Sequence, residues 1–183
     1  MSEEGLKNKT IIVGVTGSIA AYKAAGLVSG LRKAGSDVVV VMTEKARRFV
    51  SPLTFQTLSC NPVVTDLFAD VPRWSPLHVS LADRAALVAV VPATANVIGK
   101  VAAGIADDAL TCLIMAARKP VLFAPAMNVN MYENVIVREN VSRLEKLGYH
   151  FIGPEEGYLA CGYEGKGRLA SIDKIMAAIR KLL

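Results

Sequence analysis

Short apolar runs alternate along the chain with longer segments in which apolar residues recur at helical spacing. The runs that are richest in valine and isoleucine lie at 9–16, 37–42, 86–91 and 121–125. Near-continuous apolar runs of this length are typical of strands that are buried on both faces of a parallel sheet. Because strands and helices alternate, the pattern predicts an α/β fold, a doubly wound parallel sheet with helices on both faces.

Turn residues set the limits of several predicted elements. Gly35 is expected at the C′ position of the helix that follows the first strand, and Pro52 in the first turn of a helix over 51–59. The last strand is predicted at 149–152. Segment 153–170 contains five glycines, which predicts a mobile flap rather than a part of the core.

Length and composition narrow the class of protein. At 183 residues the chain is expected to be one domain over 1–183, with the polar residues 1–8 as an N-terminal tail. Hydrophobic residues make up 52% and the mean hydropathy is +0.39, so we expect a homo-oligomer that covers part of the surface. Pro92 and Lys100 interrupt the apolar region at 85–106, so no membrane span is predicted. The polar N-terminus and the odd number of cysteines, three, favour a cytoplasmic protein without disulfides or a metal site.

The charge of the chain favours a small anionic ligand. A net charge of +5 and a pI near 9.2 suit anionic small molecules as well as nucleic acid. The basic residues cluster only modestly, and no aromatic residues are interleaved with them as stacking platforms. Nucleic-acid binding is therefore not favoured.

The turn after the first strand carries residues that suit a phosphate. Gly17 and Ser18 join a strand to a helix, a geometry that directs backbone N–H groups and a hydroxyl towards an anion. The three-glycine dinucleotide fingerprint is missing, so the single phosphate of FMN fits better than the pyrophosphate of NAD or FAD. Thr43, after the second strand, is a candidate contact to the phosphate or the ribityl chain. Close packing alone would also account for the Gly17–Ser18 turn, and helix capping alone for Thr43.

Two later strands end in loops of similar design, PATAN and PAMN. The carboxyl ends of neighbouring parallel strands meet at the edge of the sheet where ligands bind. The candidate residues are Ala93, Thr94, Ala95 and Asn96 in the first loop, Ala126 and Asn128 in the second, and Met131 beyond it. Small side chains and amides at this edge predict a slot for a flat cofactor and a small polar substrate. Asn128 by itself would fit an ordinary helix N-cap equally well.

Two further residues are candidates for the chemistry. His78 lies at a predicted helix start before the third strand, and a lone histidine there is more often structural. Cys161 lies inside the glycine-rich segment, where partial exposure suits a chemical role. Cys112 lies in an apolar helix and is expected to be packed and inert. The sequence therefore favours Cys161 and leaves His78 open.

These motifs together resemble one family across nearly the whole chain. PATAN, PAMN followed by Met131, a preceding His78 and LACG-x-x-G-x-GR are similar to the motifs of the flavin-containing cysteine decarboxylases. The resemblance implies a flavodoxin-like, Rossmann-like fold that binds FMN between neighbouring subunits of a homotrimer, with some members forming a dodecamer of trimers. It also implies decarboxylation of 4′-phospho-N-pantothenoylcysteine to 4′-phosphopantetheine in coenzyme A biosynthesis. A phosphopantothenate–cysteine ligase would be a separate or fused partner.

The resemblance also implies roles for individual residues. His78 would be the active-site histidine, Asn128 would hold the substrate carboxylate, and Cys161 would donate a proton. Ala160 and Met131 would lie beside the substrate. The flavin-binding residues would be Gly17, Ser18, Thr43, Ala93, Thr94, Ala95, Asn96 and Ala126. In the implied reaction FMN oxidises the thiol-bearing carbon to a thioaldehyde, carbon dioxide leaves to give an enethiolate, and hydride and a proton return.

Two departures and three alternatives accompany the resemblance. Ser80 stands where the family often has glutamate, and Tyr132 where it often has tryptophan; neither change removes a reacting group. An oxidative peptidyl-cysteine decarboxylase would stop at the enethiol, but such relatives lack the flap cysteine that Cys161 represents. Flavin prenyltransferases have different motifs. A regulatory flavoprotein that inhibits a phosphatase would be expected to carry an acidic tail or to lack a catalytic residue.

Overall fold

A five-stranded sheet forms the centre of the protein. A computed structural model describes residues 3–67, 77–158, 162 and 164–183. The strands are β1 (Thr10–Val15), β2 (Asp37–Met42), β3 (Leu87–Ala93), β4 (Val121–Pro125) and β5 (His150–Phe151). All neighbours are parallel, in the order β2-β1-β3-β4-β5. The strand order reverses between β1 and β3, and α/β sheets bind their ligands at such a switch point.

Helices cover both faces of this sheet. They are α1 (Lys23–Lys33), α2 (Pro52–Ser59), α3 (Leu77–Arg84), α4 (Ala95–Ala102), α5 (Ala109–Ala116), α6 (Val129–Glu133), α7 (Val135–Lys146) and α8 (Ile172–Leu182). One core cluster joins α1, α2 and α8 to the sheet, and a second joins α3, α4, α5 and α7. Successive strand residues alternate between the clusters: Ile11 and Val13 belong to the first, Ile12 to the second. The predicted doubly wound fold is confirmed.

Gly35 and Pro52 lie at the helix ends where the sequence predicted them, and Ser51, predicted as the first residue of its helix, is instead the N-cap of α2. Gly35 follows α1 with a φ of +86°, a conformation that glycine adopts without the steric cost of a Cβ. The Ser51 side chain accepts a hydrogen bond from the Leu53 N–H, with Pro52 in the first turn of α2. Within the described part of the chain, no helix is long and apolar enough to cross a membrane.

The glycine-rich segment differs most from the prediction. It forms two strands, β6 (Glu155–Tyr158) and β7 (Glu164–Arg168), which pair as an antiparallel hairpin. The strand predicted at 149–152 is shortened to the two residues of β5. Because β6 and β7 follow it, it is not the last strand of the chain. The segment lacks the β-branched residues that mark strands, so its pattern contained no strand signal. The mobility of residues 153–170 stays a prediction.

The N-terminal side of the first strand also differs. Residues Glu3–Leu6, part of the predicted tail, form a 3₁₀ helix whose Leu6 is fully buried. The Leu6 carbonyl accepts a hydrogen bond from the buried Ser36 hydroxyl at 2.9 Å. A single leucine in a polar stretch is thus enough to dock this segment on the domain.

Candidate functional site

A cavity of about 780 Å³ opens at the carboxyl edge of the sheet, across the ends of β1, β2, β3 and β4. This volume is typical of sites for small molecules and cofactors. The residues predicted from the sequence that line it are Gly17, Ser18, Thr43, Thr94, Ala95, Asn96, Ala126, Asn128 and Met131. The four strand ends therefore meet in one cavity, as expected from the parallel sheet.

The Gly17–Ser18 turn forms one side of this cavity. The Ser18 hydroxyl accepts a hydrogen bond from the Ala20 N–H at 3.3 Å and donates a longer one to the Ala126 carbonyl at 3.4 Å. A Cβ on Gly17 would lie 2.5 Å from the Lys45 Cβ. Only glycine therefore lets the turn pack this closely against the segment that follows β2.

Thr43 caps that following segment. Its hydroxyl accepts a hydrogen bond from the Ala46 N–H at 3.3 Å, at the start of a 3₁₀ helix over Ala46–Arg48. Thr43 lines the cavity as well. Because a hydroxyl has one donor and two acceptor positions, the capping bond leaves its donor function intact. Capping and ligand contact are compatible at this residue.

The PATAN loop separates into a buried and an exposed part. Ala93 is fully buried in the second core cluster and does not line the cavity, because β3 continues through it. Its carbonyl accepts a hydrogen bond from the Ala126 N–H at 3.1 Å. Thr94 caps α4 by accepting from the Val97 N–H at 3.4 Å. Of the three small residues predicted to let a ring system approach, Thr94 and Ala95 line the cavity and Ala93 does not; their contact with a flavin stays a prediction.

Asn128 serves as a helix cap and lines the cavity at the same time. Its Oδ1 accepts a hydrogen bond from the Asn130 N–H at 2.8 Å, at the start of α6. The position of Asn128 is thus compatible both with an ordinary helix N-cap and with a contact to a ligand in the cavity. Met131, one turn further on, is 49% exposed and presents an apolar surface to the cavity.

A charged cluster at the cavity wall was missed by the sequence analysis. The Lys100 Nζ donates to Asp107 at 2.6 Å and to Asp108 at 3.2 Å. The hydrogen bond from Lys100 lowers the pKa of Asp107, and the same bond raises the pKa of Lys100. Asp108 is the N-cap of α5, but its pairing with Lys100 depends on the path of the loop between α4 and α5, for which the sequence has no signal.

The hairpin forms a further wall. Tyr158, Gly167 and Arg168 line the cavity, and the Met127 N–H donates to the Gly167 carbonyl at 3.0 Å. The hairpin is therefore joined directly to the PAMN loop. The Lys166 Nζ lies 5.8 Å from the centroid of the Tyr132 ring, within the range of a cation–π contact.

Ion pairs fix the hairpin to α8. Glu155 accepts hydrogen bonds from Lys174 at 2.7 Å and from Arg168 at 3.3 Å. The bond from Lys174 is the main reason that the pKa of Glu155 lies below its ordinary value. Because Arg168 also lines the cavity, this network connects the last helix to the site.

Three predicted residues are not placed by the structure. The backbone of His78 lies in α3, but its side chain is outside the described part of the chain. Ala160 and Cys161 lie outside the described residues altogether, so the roles expected for all three stay predictions. Among the residues that are described, no group of three His, Cys, Asp or Glu side chains could hold a metal ion.

Comparison with known proteins identifies the family of this fold and site. The model of the Flavoprotein family matches residues 1–183. The chain belongs to the Flavoprotein family. Among curated relatives of this flavoprotein, the probable phosphopantothenoylcysteine decarboxylase of Streptococcus mutans is 44% identical over 177 residues, which are 96% of this chain and 99% of that protein.

Other relatives of this flavoprotein are longer. The coenzyme A biosynthesis bifunctional protein CoaBC of Bacillus subtilis is 53% identical over 176 residues, which are 96% of this chain and 43% of that protein. The CoaBC protein of Borreliella burgdorferi is 46% identical over 173 residues, 94% of this chain and 44% of that protein. The chain thus spans less than half the length of these bifunctional relatives.

Solved structures agree with this assignment. A PPC decarboxylase variant complexed with pantothenoylaminoethenethiol has a TM-score of 0.86 and 28% identity, covering 96% of this chain and 98% of its own. The FMN-dependent cysteine decarboxylase SpaF has a TM-score of 0.84 and 31% identity, covering 97% of this chain and 96% of its own. The resemblance to flavin-containing cysteine decarboxylases, stated from four motifs, is confirmed.

Proposed function

We propose that this flavoprotein binds FMN and decarboxylates 4′-phospho-N-pantothenoylcysteine to 4′-phosphopantetheine, a step of coenzyme A biosynthesis. The observation that carries the proposal is the meeting of the Gly17–Ser18 turn, the Thr94–Asn96 loop and Asn128 around one cavity. The similarity to decarboxylases of this substrate, one of them over 99% of its length, supports the same reaction.

The residues of the cavity fit an FMN molecule. Gly17, Ser18 and Thr43 would hold its phosphate and ribityl chain, since they bring backbone N–H groups and hydroxyls to one end of the cavity. Thr94 and Ala95 are small, and Asn96 adds an amide, so a flat ring system can lie against this loop. When bound, FMN would supply a hydride acceptor for the thiol-bearing carbon, which makes loss of the neighbouring carboxylate possible.

The chain's own residues would position the substrate and move its protons. Asn128 would hold the carboxylate that leaves, with Met131 against the apolar part of the substrate. His78 would assist proton transfer at the thiol, and Cys161 would donate the proton that completes the product. The hairpin is joined to the PAMN loop through Met127 and Gly167, so β7 lies beside the loop that carries Asn128.

The oligomer and the partner are part of the same proposal. We expect a homotrimer, or a dodecamer built from trimers, because a mean hydropathy of +0.39 is high for a monomer. The bifunctional relatives are more than twice the length of the segment they share with this chain, which supports a phosphopantothenate–cysteine ligase as a fused or separate partner. A cytoplasmic location is expected for such an enzyme.

Mass spectrometry of the product tests this function. Purified protein loaded with FMN is incubated with 4′-phospho-N-pantothenoylcysteine, and the expected product has lost carbon dioxide alone. Cys161→Ser is expected to accumulate a product that has lost two further hydrogens, the enethiol.

The other outcomes assign other functions. If the wild-type protein itself stops at the enethiol, the oxidative peptidyl-cysteine type of reaction is supported instead. Unchanged substrate beside bound FMN would contradict the proposal and support a regulatory flavoprotein.

A further inference from the structure

A buried hydroxyl connects the two strand ends on which the proposed flavin site depends. Thr16 is 1% exposed and lies between β1 and the Gly17–Ser18 turn. Its Oγ1 donates a hydrogen bond to the Pro92 carbonyl at 2.7 Å and accepts one from the Thr94 N–H at 3.2 Å. The Thr16 side chain thus bonds both the carbonyl of the residue before Ala93 and the N–H of the residue after it, which are 76 and 78 residues further along the chain.

These two bonds fix the spacing of the two loops. Thr94 begins the wall formed by Thr94–Asn96 and caps α4 through its own hydroxyl. Gly17, the next residue after Thr16, begins the opposite wall. The Thr16 hydroxyl is therefore the side-chain link between the start of one wall and the start of the other.

Loss of this hydroxyl would have a defined cost. Valine has nearly the shape of threonine but cannot bond, so Thr16→Val would leave the Pro92 carbonyl and the Thr94 N–H without this partner in a buried place. Buried polar groups without partners are unfavourable. The loops would relieve that cost by moving apart or by admitting water between them.

We propose that Thr16 is a positioning residue for the flavin. Its hydroxyl holds the Gly17–Ser18 turn and the Thr94–Asn96 loop at the separation at which both contact one FMN molecule. The inference rests on the proposed function, because it takes FMN as the ligand of the cavity. Thr16 lines the cavity as well, and its hydroxyl acts on the cofactor through these two loops, because both of its hydrogen bonds are made to the backbone on either side of Ala93.

Ser36 provides a matched control. It is 1% exposed, and its hydroxyl also donates to a backbone carbonyl, that of Leu6, at 2.9 Å. Ser36 directly precedes β2, so it lies at the amino edge of the sheet, opposite the cavity. Ser36→Ala therefore removes a buried hydrogen bond of the same kind without touching either loop.

The experiment measures FMN affinity and stability separately. The Kd for FMN is obtained by flavin fluorescence titration of flavin-free protein, and stability by urea unfolding of the same samples at one subunit concentration. Thr16→Val is expected to raise the Kd by about tenfold, since it removes two hydrogen bonds that hold the loops. Thr16→Ser keeps the hydroxyl and should stay within about threefold of the wild type. Ser36→Ala should lose stability and keep the wild-type Kd.

The FMN affinities of the variants and of the wild type test the role of Thr16 and the proposed function separately. A folded Thr16→Val variant with the wild-type Kd would overturn the inference, as would an equal rise in Kd for Ser36→Ala. If the valine variant is recovered unfolded, Thr16→Ala is titrated in its place with the same expectation. Wild-type protein that binds no FMN would overturn the proposed function itself, so the two failures are distinguishable.

Discussion

Asn128 combines a structural role with a position in the cavity. Its Oδ1 caps α6, and its side chain lines the cavity. Asn128→Asp keeps an N-cap acceptor, because asparagine and aspartate cap equally well, but replaces the amide NH₂ with a second carboxylate oxygen. Repulsion of the substrate carboxylate should lower kcat/KM by about 100-fold, while the bound flavin and the unfolding midpoint stay unchanged.

The control for Asn128 is its neighbour Asn130, which is exposed. Asn130→Asp places the same negative charge two residues away and should leave kcat/KM within about twofold of the wild type. Steady-state kinetics and the absorbance of bound flavin measure both variants. Equal losses in the two variants would mean that the general charge of the loop, and not Asn128, governs turnover.

Single residues differ in how far the sequence could predict them. Thr43 and Asn128 follow known capping preferences and act over two or three positions, so their capping roles were visible in the sequence. Lys100 and Asp107 are seven positions apart across a loop, and Thr16 acts over 76 positions. Such pairs depend on tertiary structure, which no local pattern contains.

At the scale of secondary-structure elements, an ion pair between Glu155 and Lys174 links the hairpin to α8, and its strength depends on pH. Lys174 keeps the pKa of Glu155 below its ordinary value. A lowered folded-state pKa contributes stability that is present above the unfolded pKa, about 4.3 for glutamate, and is lost as the pH falls through the folded value. Lys174→Gln should therefore raise the pKa of Glu155 and reduce stability near neutral pH by about 0.5 kcal/mol, since Lys174 is largely exposed.

Carboxyl-carbon NMR titration and urea unfolding between about pH 3 and pH 7 measure this effect. Lys181→Gln removes a positive charge at the far end of the same helix and should leave the Glu155 titration in place. The difference in stability between wild type and Lys174→Gln should vanish at the acid end of the range. A difference that persists there would assign the effect to packing of the lysine stem.

The docking of β7 on α6 is equally testable. A Cβ on Gly165 would lie 2.9 Å from a methyl group of Val129, and β-branched valine has little rotamer freedom to move away. Gly165→Ala should therefore cost about 1 kcal/mol in the free energy of unfolding. Gly26→Ala, the same substitution in the middle of α1 with only distant neighbours, should stabilise by about 0.5–1 kcal/mol. A stabilising Gly165→Ala would show that the hairpin does not pack on α6 in solution.

At the scale of the whole molecule, the apolar pattern predicted the central strands of the sheet but not the hairpin or the N-terminal 3₁₀ helix. β1 to β4 are buried on both faces, so their runs are continuous and easily recognised. Their carboxyl ends then had to meet, which is why most of the cavity residues were found from the sequence. The hairpin and the N-terminal 3₁₀ helix owe their positions to contacts with the finished domain, and their own residues carry little strand or helix preference.

The spread of the cavity along the chain also determines when the site can exist during synthesis. Its walls come from the ends of β1, β2, β3 and β4 and from the hairpin, so residues between Thr16 and Leu169 contribute to them. A nascent chain that has not yet emerged beyond β4 has the Gly17–Ser18 turn but lacks Ala126, whose backbone is bonded to both Ser18 and Ala93. We therefore expect the complete cavity to bind its ligand only after the sheet has assembled, and not to guide the folding of the first strands.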